Sequence, residues 1–548
     1  MKRAFILFFM MVVLLMQATQ ITVSENEGKQ LFNVIESDLF TTSFEFSLDK
    51  YESEKVIENG REYLKISYWN EGEFAEVGKP DLPCFTRLIA IPDYGTVSIE
   101  INSTEEEYLE NVLIYPRQRL MSDSEPVDRS FVIDEEYYNS DRLFPDAIVK
   151  LGKPAIMRDL RIVPVTINPF QYNPRTKELK IIKNIQLSVN CNGYDGINTK
   201  KIHHKRSRAF EPLYRSTVLN YAETNSREEE SQTPSYLFIY PNDTQVASAL
   251  QGFLDWKHQK GFVVNAVSTA ETGTSLTSIK NYLQNAYDTW EIPPEYVCLV
   301  GDAGGSFDIP TGSMNGGEGD QFYALLEGND ILADVIIGRF SFNSLFELNT
   351  IIYKILSYEK EPYMENTDWY THALLVGDPS SSGQSTIITK KNIKELMIHN
   401  EDNYSFSEVY SGSFATLMNN NLNNGAAYFN YRGYIGMSGW GNDNMDNLNN
   451  GFMLPFAGIL TCGTGNFSGT YDCRSEHFVK IGAPGSPKGA IAAVGTATAA
   501  THTCFNNCVD AGMFYGIFVD KINSPGTALV RGKLNLYLNY PQNPNNAV

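Results

Sequence analysis

The sequence has no Gly-x-Ser-x-Gly elbow, no P-loop, no His-Glu-x-x-His pair and no dinucleotide fingerprint after its first strand. These gaps exclude the usual forms of α/β serine hydrolases, P-loop nucleotide hydrolases, zincin peptidases and Rossmann dehydrogenases. Histidine is scarce, at 7 in 548 residues, so an enzyme that needs an imidazole base has few to choose from. Cysteine is also at 7, which permits disulfides in an exported chain but does not make a dense framework. Basic residues are outnumbered, 44 against 65 acidic, and the net charge of −21 argues against nucleic acid or an anionic membrane as partner. Long apolar runs are missing except at the start. There Met1-Lys-Arg precedes a run from Ala4 to Met16 that is too short to span a bilayer. It reads as a secretory signal peptide over residues 1–22, cut near Ala18 to Thr22, so the protein is expected to be secreted or at the cell surface without a membrane span.

What is present falls into two styles. Residues 24–199 hold short strand-like runs, such as Glu62–Tyr68 and Ile181–Val189, separated by turns such as Lys79-Pro80 and Asn173-Pro174. This part is expected to be an all-β domain. Residues 200–233 open with Lys200-Lys-Ile-His-His-Lys-Arg-Ser-Arg208 and turn polar, which reads as a solvated linker and an accessible cleavage site. From Pro234 to Val548, strand-like runs alternate with helix-length segments. The strands are Tyr236–Tyr240, Phe262–Val267, Tyr296–Val300, Val335–Ile337, His372–Val376, Ala426–Asn430, Phe456–Thr461 and Ala490–Gly495. The helices are Gln245–Lys260, Leu276–Thr289, Leu345–Glu359, Thr386–Asn400 and Phe414–Asn424. That alternation predicts a mostly parallel sheet covered by helices. Leu-Val-Gly-Asp occurs at 299–302 and again at 375–378, each time closing a strand, which suggests two similar half-domains.

The chemistry concentrates at Cys462. An apolar run from Leu454 ends in Thr461-Cys-Gly-Thr-Gly465. This would project a thiol from the carboxyl end of a buried strand into a turn whose bare amides face a substrate carbonyl. Open α/β sheets bind ligands at that edge.

Several segments together resemble the gingipain family of secreted cysteine peptidases. They are Gly319–Asp330, Asp334–Phe340, Lys354–Glu359, Val300–Asp302 with Ile309-Pro310, Ala426–Gly433, and the Cys462 segment through Glu476. Gly78–Pro83 and Arg161–Val165 are similar to that family's β-rich propeptide. The resemblance implies a caspase-like α/β catalytic domain of two half-domains preceded by an all-β prodomain. It further implies a zymogen whose partners are protein or peptide substrates and its own propeptide. The family uses a His-Cys dyad, with the His in a Tyr-x-Gly-His-Gly segment. Here that segment reads Asn430-Tyr-Arg-Gly-Tyr-Ile-Gly436, so Tyr434 stands at the histidine position beside Gly433. A phenol with an ordinary pKa near ~10 is a poor base at neutral pH. The resemblance implies a catalytic role for Asp378, which corresponds to a family acid after the strand before the dyad helices; a turn or capping Asp is the alternative. The acid that gives one branch its Arg preference falls near Thr386 or Ile387, where there is no carboxylate, so Arg specificity is not supported. The family continues past the equivalent of Val548, which suggests C-terminal truncation.

His502, after the strand that follows Cys462, is the expected replacement base. Backbone amides near Gly433 and Cys462 are the expected oxyanion donors. Cys473, His477, His502, Cys504 and Cys508 have metal-like spacing, although oxidation to a disulfide is the commoner fate in an exported chain. No metal or other cofactor is assigned. Calcium at Asn442–Asp446 is an open alternative, without an EF-hand pattern. The missing dyad His also leaves a rival reading, a peptidase scaffold that acts in binding or adhesion.

Overall fold

The computed structural model describes residues 19–224, 231–314, 317–469 and 471–541. The N-terminal apolar run, and with it most of the signal-peptide reading, lies outside them. No helix among the described residues is long and apolar enough to cross a membrane.

Residues up to Asn192 form antiparallel β-structure, as expected. A long strand, Glu178–Asn192, pairs on one side with Thr41–Ser47 and on the other with Thr96–Leu109. Its alternate residues Leu179, Ile181, Ile185, Leu187 and Val189 enter a core with Phe44, Phe46 and Phe85. This is the period-2 burial that places one face of a strand inward.

The C-terminal region holds two parallel sheets. Strands β1 (Ser235–Tyr240), β2 (Val263–Ser268), β3 (Tyr296–Val300) and β4 (Ile336–Phe340) lie in the spatial order β2-β1-β3-β4. Strands β5 (His372–Gly377), β6 (Ser405–Val409), β7 (Tyr428–Arg432), β8 (Phe456–Leu460) and β9 (Ala492–Gly495) lie in the order β6-β5-β7-β8-β9. The second sheet therefore repeats the first and adds one strand. The Leu-Val-Gly-Asp pair does not mark that repeat, since it closes β3, third in its half, and β5, first in its half. All of β8, Phe-Ala-Gly-Ile-Leu, is buried, as befits a parallel strand covered on both faces.

Helices α1 (Thr244–Gln259), α2 (Leu276–Thr289), α3 (Leu345–Lys360), α4 (Ser385–Asn400) and α5 (Phe414–Asn424) sit where the periodicity placed them. Three start on side-chain caps. Asp243 accepts from the Gln245 and Val246 amides, and Ser275 and Ser344 each close a capping box. Two further helices, α6 (Thr503–Phe518) and α7 (Pro525–Asn539), have no counterpart in the sequence reading. Their apolar residues are spread around the axis because α6 is packed against both α4 and α7. Behind the second sheet, Lys390 of α4 contacts Asp510 of α6 and Asn430 of β7, and all three are fully buried.

The expected linker is corrected by the structure. Residues 200–224 are not a solvated tether. Glu211–Thr217 is helical, and Phe210, Leu213, Tyr214 and Val218 are buried with Leu88 and Met157 of the β domain and with Ile336 and Ala528 of the α/β domain. Burying these apolar groups holds the segment down in spite of its basic start. In that start, Lys201, His203, Lys205 and Arg208 remain exposed.

Arg158 of the β domain is completely buried against the α/β domain. Its amide donates to Asp334 Oδ1 at 2.9 Å, and its guanidinium donates to the carbonyls of Pro294 and Asp334. Asp330 accepts from the Ile156 amide at 2.8 Å, and Glu327 accepts from Lys200 at 2.6 Å. The acidic stretch used to recognise the family is thus a docking surface for the β domain.

Candidate active site

Strands β7 and β8 are parallel neighbours, and their carboxyl ends deliver Tyr434 and Cys462 two residues beyond the last paired positions. The Thr461 hydroxyl donates to the Gly433 carbonyl at 2.8 Å and so ties the two turns together. Past Cys462 the chain crosses the end of β9 at very short range. A Cβ on Gly465 would lie 2.7 Å from the Gly495 backbone, and one on Gly495 would lie 2.7 Å from Thr464. Both positions need glycine for that approach.

The Cys462 thiol is 1% exposed and hydrogen-bonds with the Thr501 hydroxyl at 3.0 Å. Asn506 donates to the same hydroxyl at 2.8 Å, which frees the Thr501 proton to point at the sulfur. Four other thiols are held protonated by burial. Burial pushes Cys298 up to about 12, Cys473 and Cys504 up to about 11, and Cys508 higher still. Cys191, Cys298, Cys462, Cys473, Cys504 and Cys508 are free thiols. The metal-like spacing at Cys473, His477, His502, Cys504 and Cys508 does not assemble. Among the described residues, no group of three or more His, Cys, Asp or Glu is arranged to hold a metal ion. The calcium candidate Asn442–Asp446 is a single helical turn whose Asp446 contacts His477.

His502 sits immediately before α6. Its ring lies edge-on to Phe505, with centroids 5.4 Å apart, and its buried Nδ1 lacks a hydrogen-bond partner. The remaining histidines are committed elsewhere. His203 is near Asp93, and His204 packs on Tyr287. His258 is exposed at the end of α1, and His399 bonds its own helix. His372 lies at the amino end of β5, bonded to Ser405 and Ser407, at the opposite sheet edge from Cys462. His477 lies between Asp446 and Asp472. Burial there works against its proton, but the two carboxylates prevail and raise its pKa.

Asp378 is 5% exposed. It accepts from the Ser380 amide at 2.9 Å, the Ser380 hydroxyl at 2.6 Å and the Ser438 hydroxyl at 2.5 Å. Ser438 also bonds the Tyr431 hydroxyl at 2.8 Å. Both Met437 (φ 49°) and Ser438 (φ 57°) hold left-handed backbone that side chains disfavour, so Asp378 anchors a strained turn that carries Tyr434. Removing its carboxylate orphans these donors. Asp378→Ala is expected to lower stability by ~1–3 kcal/mol and to reduce turnover through the displaced turn. Urea melts and kcat measured on one preparation check both.

Oxyanion donors are expected among the amides near Gly433 and Cys462, and one amide of the first group faces a carbonyl. At Gly433 an added Cβ would meet the Tyr431 hydroxyl at 2.5 Å, so that glycine is required for packing. The amide that faces a carbonyl is two residues on, at Ile435. It donates at 2.7 Å to the carbonyl of Asp123, a residue of the β domain. The sequence reading missed this segment, Met121-Ser-Asp-Ser124, which crosses the whole site. The Thr503 amide donates to the Met121 carbonyl at 2.8 Å, Ser122 bridges antiparallel to His502, and the Asp123 amide donates to the Thr501 carbonyl at 3.1 Å. Beyond it, the Tyr434 hydroxyl donates to the Ser124 carbonyl at 2.6 Å. Its sequence carries no signal for this, since the contact spans more than 300 positions.

Residues 229–548 match Peptidase family C25, and residues 25–228 match its propeptide, Propeptide_C25. The chain belongs to peptidase family C25. It is 28% identical over 457 residues to Gingipain R2 of Porphyromonas gingivalis, covering 80% of this chain and 61% of that protein. It is 27% identical over 504 residues to Lys-gingipain of the same organism, covering 87% of this chain and 28% of that protein. The chain therefore spans less than two thirds of the length of these curated relatives. The crystal structure of the Arg-specific cysteine proteinase gingipain R is similar in fold, with a TM-score of 0.51 at 23% identity over 58% of this chain and 76% of that one. The β domain is thus a C25 propeptide docked on a C25 peptidase domain, and Met121–Ser124 is the part of it that enters the cleft.

Proposed function

We propose that this chain is the zymogen of an exported cysteine endopeptidase, with Cys462 as nucleophile. One observation carries the reading. Extended backbone lies across the thiol's turn, pairs with Thr501–Thr503 and puts its Asp123 carbonyl on the Ile435 amide. A peptide substrate seated the same way would present its scissile carbonyl to Cys462 and its developing oxyanion to that amide. The thiol proton passes to a base, for which His502 is the candidate, and the sulfur bonds to the carbonyl carbon. The C–N bond then breaks as the amine takes a proton, and water hydrolyses the resulting thioester to return the thiol. Tyr434 holds the carbonyl on the leaving side and takes no proton. Export rests on the basic start and apolar run of the first residues.

An electrophilic thiol probe tests this on protein freed of its propeptide. Rapid labelling of Cys462 at neutral pH, together with cleavage of a mixed peptide library that Cys462→Ala abolishes, is the expected result. Slow labelling and no cleavage would favour the binding-scaffold reading, which Tyr434 in the dyad histidine's place supports.

Processing follows from the packing of residues 209–221. A cut within them would have to unfold the buried helix, so the new N-terminus is expected between Ala222 and Pro234, near where the two family matches meet. N-terminal sequencing of the secreted protein checks it. A mature chain that begins between 209 and 221 would count against the docking described here.

A further inference from the structure

Asp123 has more than its backbone in the cleft. Its carboxylate is fully buried, and the peptidase domain supplies every partner it has there. Arg432 Nη1 donates to Oδ2 at 2.9 Å, Asn506 Nδ2 donates to Oδ2 at 2.7 Å, and the Thr503 hydroxyl donates to Oδ1 at 2.8 Å. Arg432 is itself fully buried and rigidly held. Its Nε donates to Asn507 Oδ1 at 2.8 Å, its Nη2 to the Thr503 carbonyl at 3.0 Å, and its Nη1 also contacts the Leu460 carbonyl. Among the described residues, Asp123 is its ion-pair partner, since the nearby Asp510 is paired with Lys390. When the propeptide leaves, a buried guanidinium, an amide and a hydroxyl remain aimed at one point without a carboxylate. That point lies two hydrogen bonds from the thiol's own partner, because Asn506 serves both Thr501 and Asp123.

We propose that this pocket selects an acidic side chain, so that the substrate residue ahead of the scissile bond is aspartate. The inference rests on the peptidase reading for cleavage but not for binding. The side chain and the backbone agree on the position, since the residue in the pocket is the one whose carbonyl meets Ile435. The sign of the charge is opposite to that of an Arg-selecting site. Thr386, where that site would have its acid, is buried and bonds the Asp378 and Gly383 carbonyls. A lysine or arginine would be driven against Arg432. Asparagine keeps the shape but sets an amide against donors, and a pocket left with unpaired buried groups discriminates steeply. Glutamate is one methylene too long for a pocket that closes on Asp123 at 2.7 to 2.9 Å.

The test uses the full chain carrying Asp123→Ala, in which the pocket is empty of its own acid. Ten-residue peptides spanning 118–127 with Asp, Asn, Glu or Arg at the central position are titrated against the same chain with Cys462→Ala added. The Asp peptide is expected to bind at least ~100-fold more tightly than the Asn and Arg peptides and ~10-fold or more above Glu. Equal binding of Asp and Asn, or tighter binding of Arg, overturns the pocket whatever the enzyme does. In parallel, a proteome-derived peptide library is digested by the processed protein, freed of its propeptide, and the cut sites are mapped. Cys462-dependent cuts after Asp support both readings. Cuts after other residues overturn the pocket and leave the peptidase standing. Asp-selective binding with no cleavage supports the pocket and ends the peptidase reading. Arg432→Gln should erase the Asp preference. If that variant misfolds, the peptide series still decides.

Discussion

Replacing His502 with alanine is expected to lower kcat by roughly 10²- to 10⁴-fold, the range associated with loss of a general base. Cys462→Ala should leave no cleavage above background. Five of the other six histidines are exposed, paired or at the far edge of the sheets, His204 packs on Tyr287, and only His502 follows a strand beside Cys462. An imidazole can take a thiol proton, and the imidazolium then favours the thiolate. In the docked zymogen the ring turns toward Phe505, and the propeptide's Ser122 is bridged to its backbone. Release of the propeptide frees that backbone, so the effect is to be read on processed protein. Tyr434→Phe removes one hydrogen bond to the carbonyl on the leaving side and should cost only about 2- to 10-fold in kcat/KM. The assignment fails if His502→Ala keeps full activity while Tyr434→Phe loses a hundredfold.

The sequence revealed most where one local rule governed. Strands β1 to β5 and β7 to β9 and helices α1 to α5 were legible because apolar period and caps agreed over each segment. Cys462 was legible because Thr-Cys-Gly-Thr-Gly interrupts an apolar run with residues that suit a turn and little else. Strand β6 was missed because Ser-Phe-Ser-Glu-Val, at the sheet edge, is half polar. Helices α6 and α7 were missed because burial on several sides erased their amphipathic period. The linker misled because its charges are real and exposed, while the aromatic residues that anchor it lie just beyond them. Least legible was the site's third party. Nothing local marks Met121–Ser124 as a cleft segment or sets Asp123 apart from the chain's other acids, and Arg432 looks like one more basic residue in a strand. Only the fold brings the two together, across 309 positions.

Asp123→Ala in the full chain is expected to loosen the propeptide's hold on the cleft by ~3–5 kcal/mol, the usual cost of stripping one partner from a buried ion pair. Arg432 would remain 0% exposed, with no carboxylate in reach, and Asn506 and Thr503 would each lose an acceptor. The remaining hydrogen bonds of the segment do not use the Asp123 carboxylate and survive the substitution, so the change should act on local opening and leave the global fold intact. The docking through Arg158, Asp330 and Asp334 is distant in sequence from this loop and shares none of its partners, so the propeptide should stay attached. Cys462, 1% exposed when the segment is in place, is the reporter. At about 1.4 kcal/mol per decade, its alkylation rate in the unprocessed chain should rise by roughly 10²- to 4 × 10³-fold, with the thermal midpoint nearly unchanged. Asp123→Asn, which keeps the shape and one acceptor, should fall between the two. An alkylation rate that does not move would mean that the ion pair does not hold the segment over the thiol. A collapse of the thermal midpoint would mean that Asp123 supports the fold as a whole and not only the closed cleft.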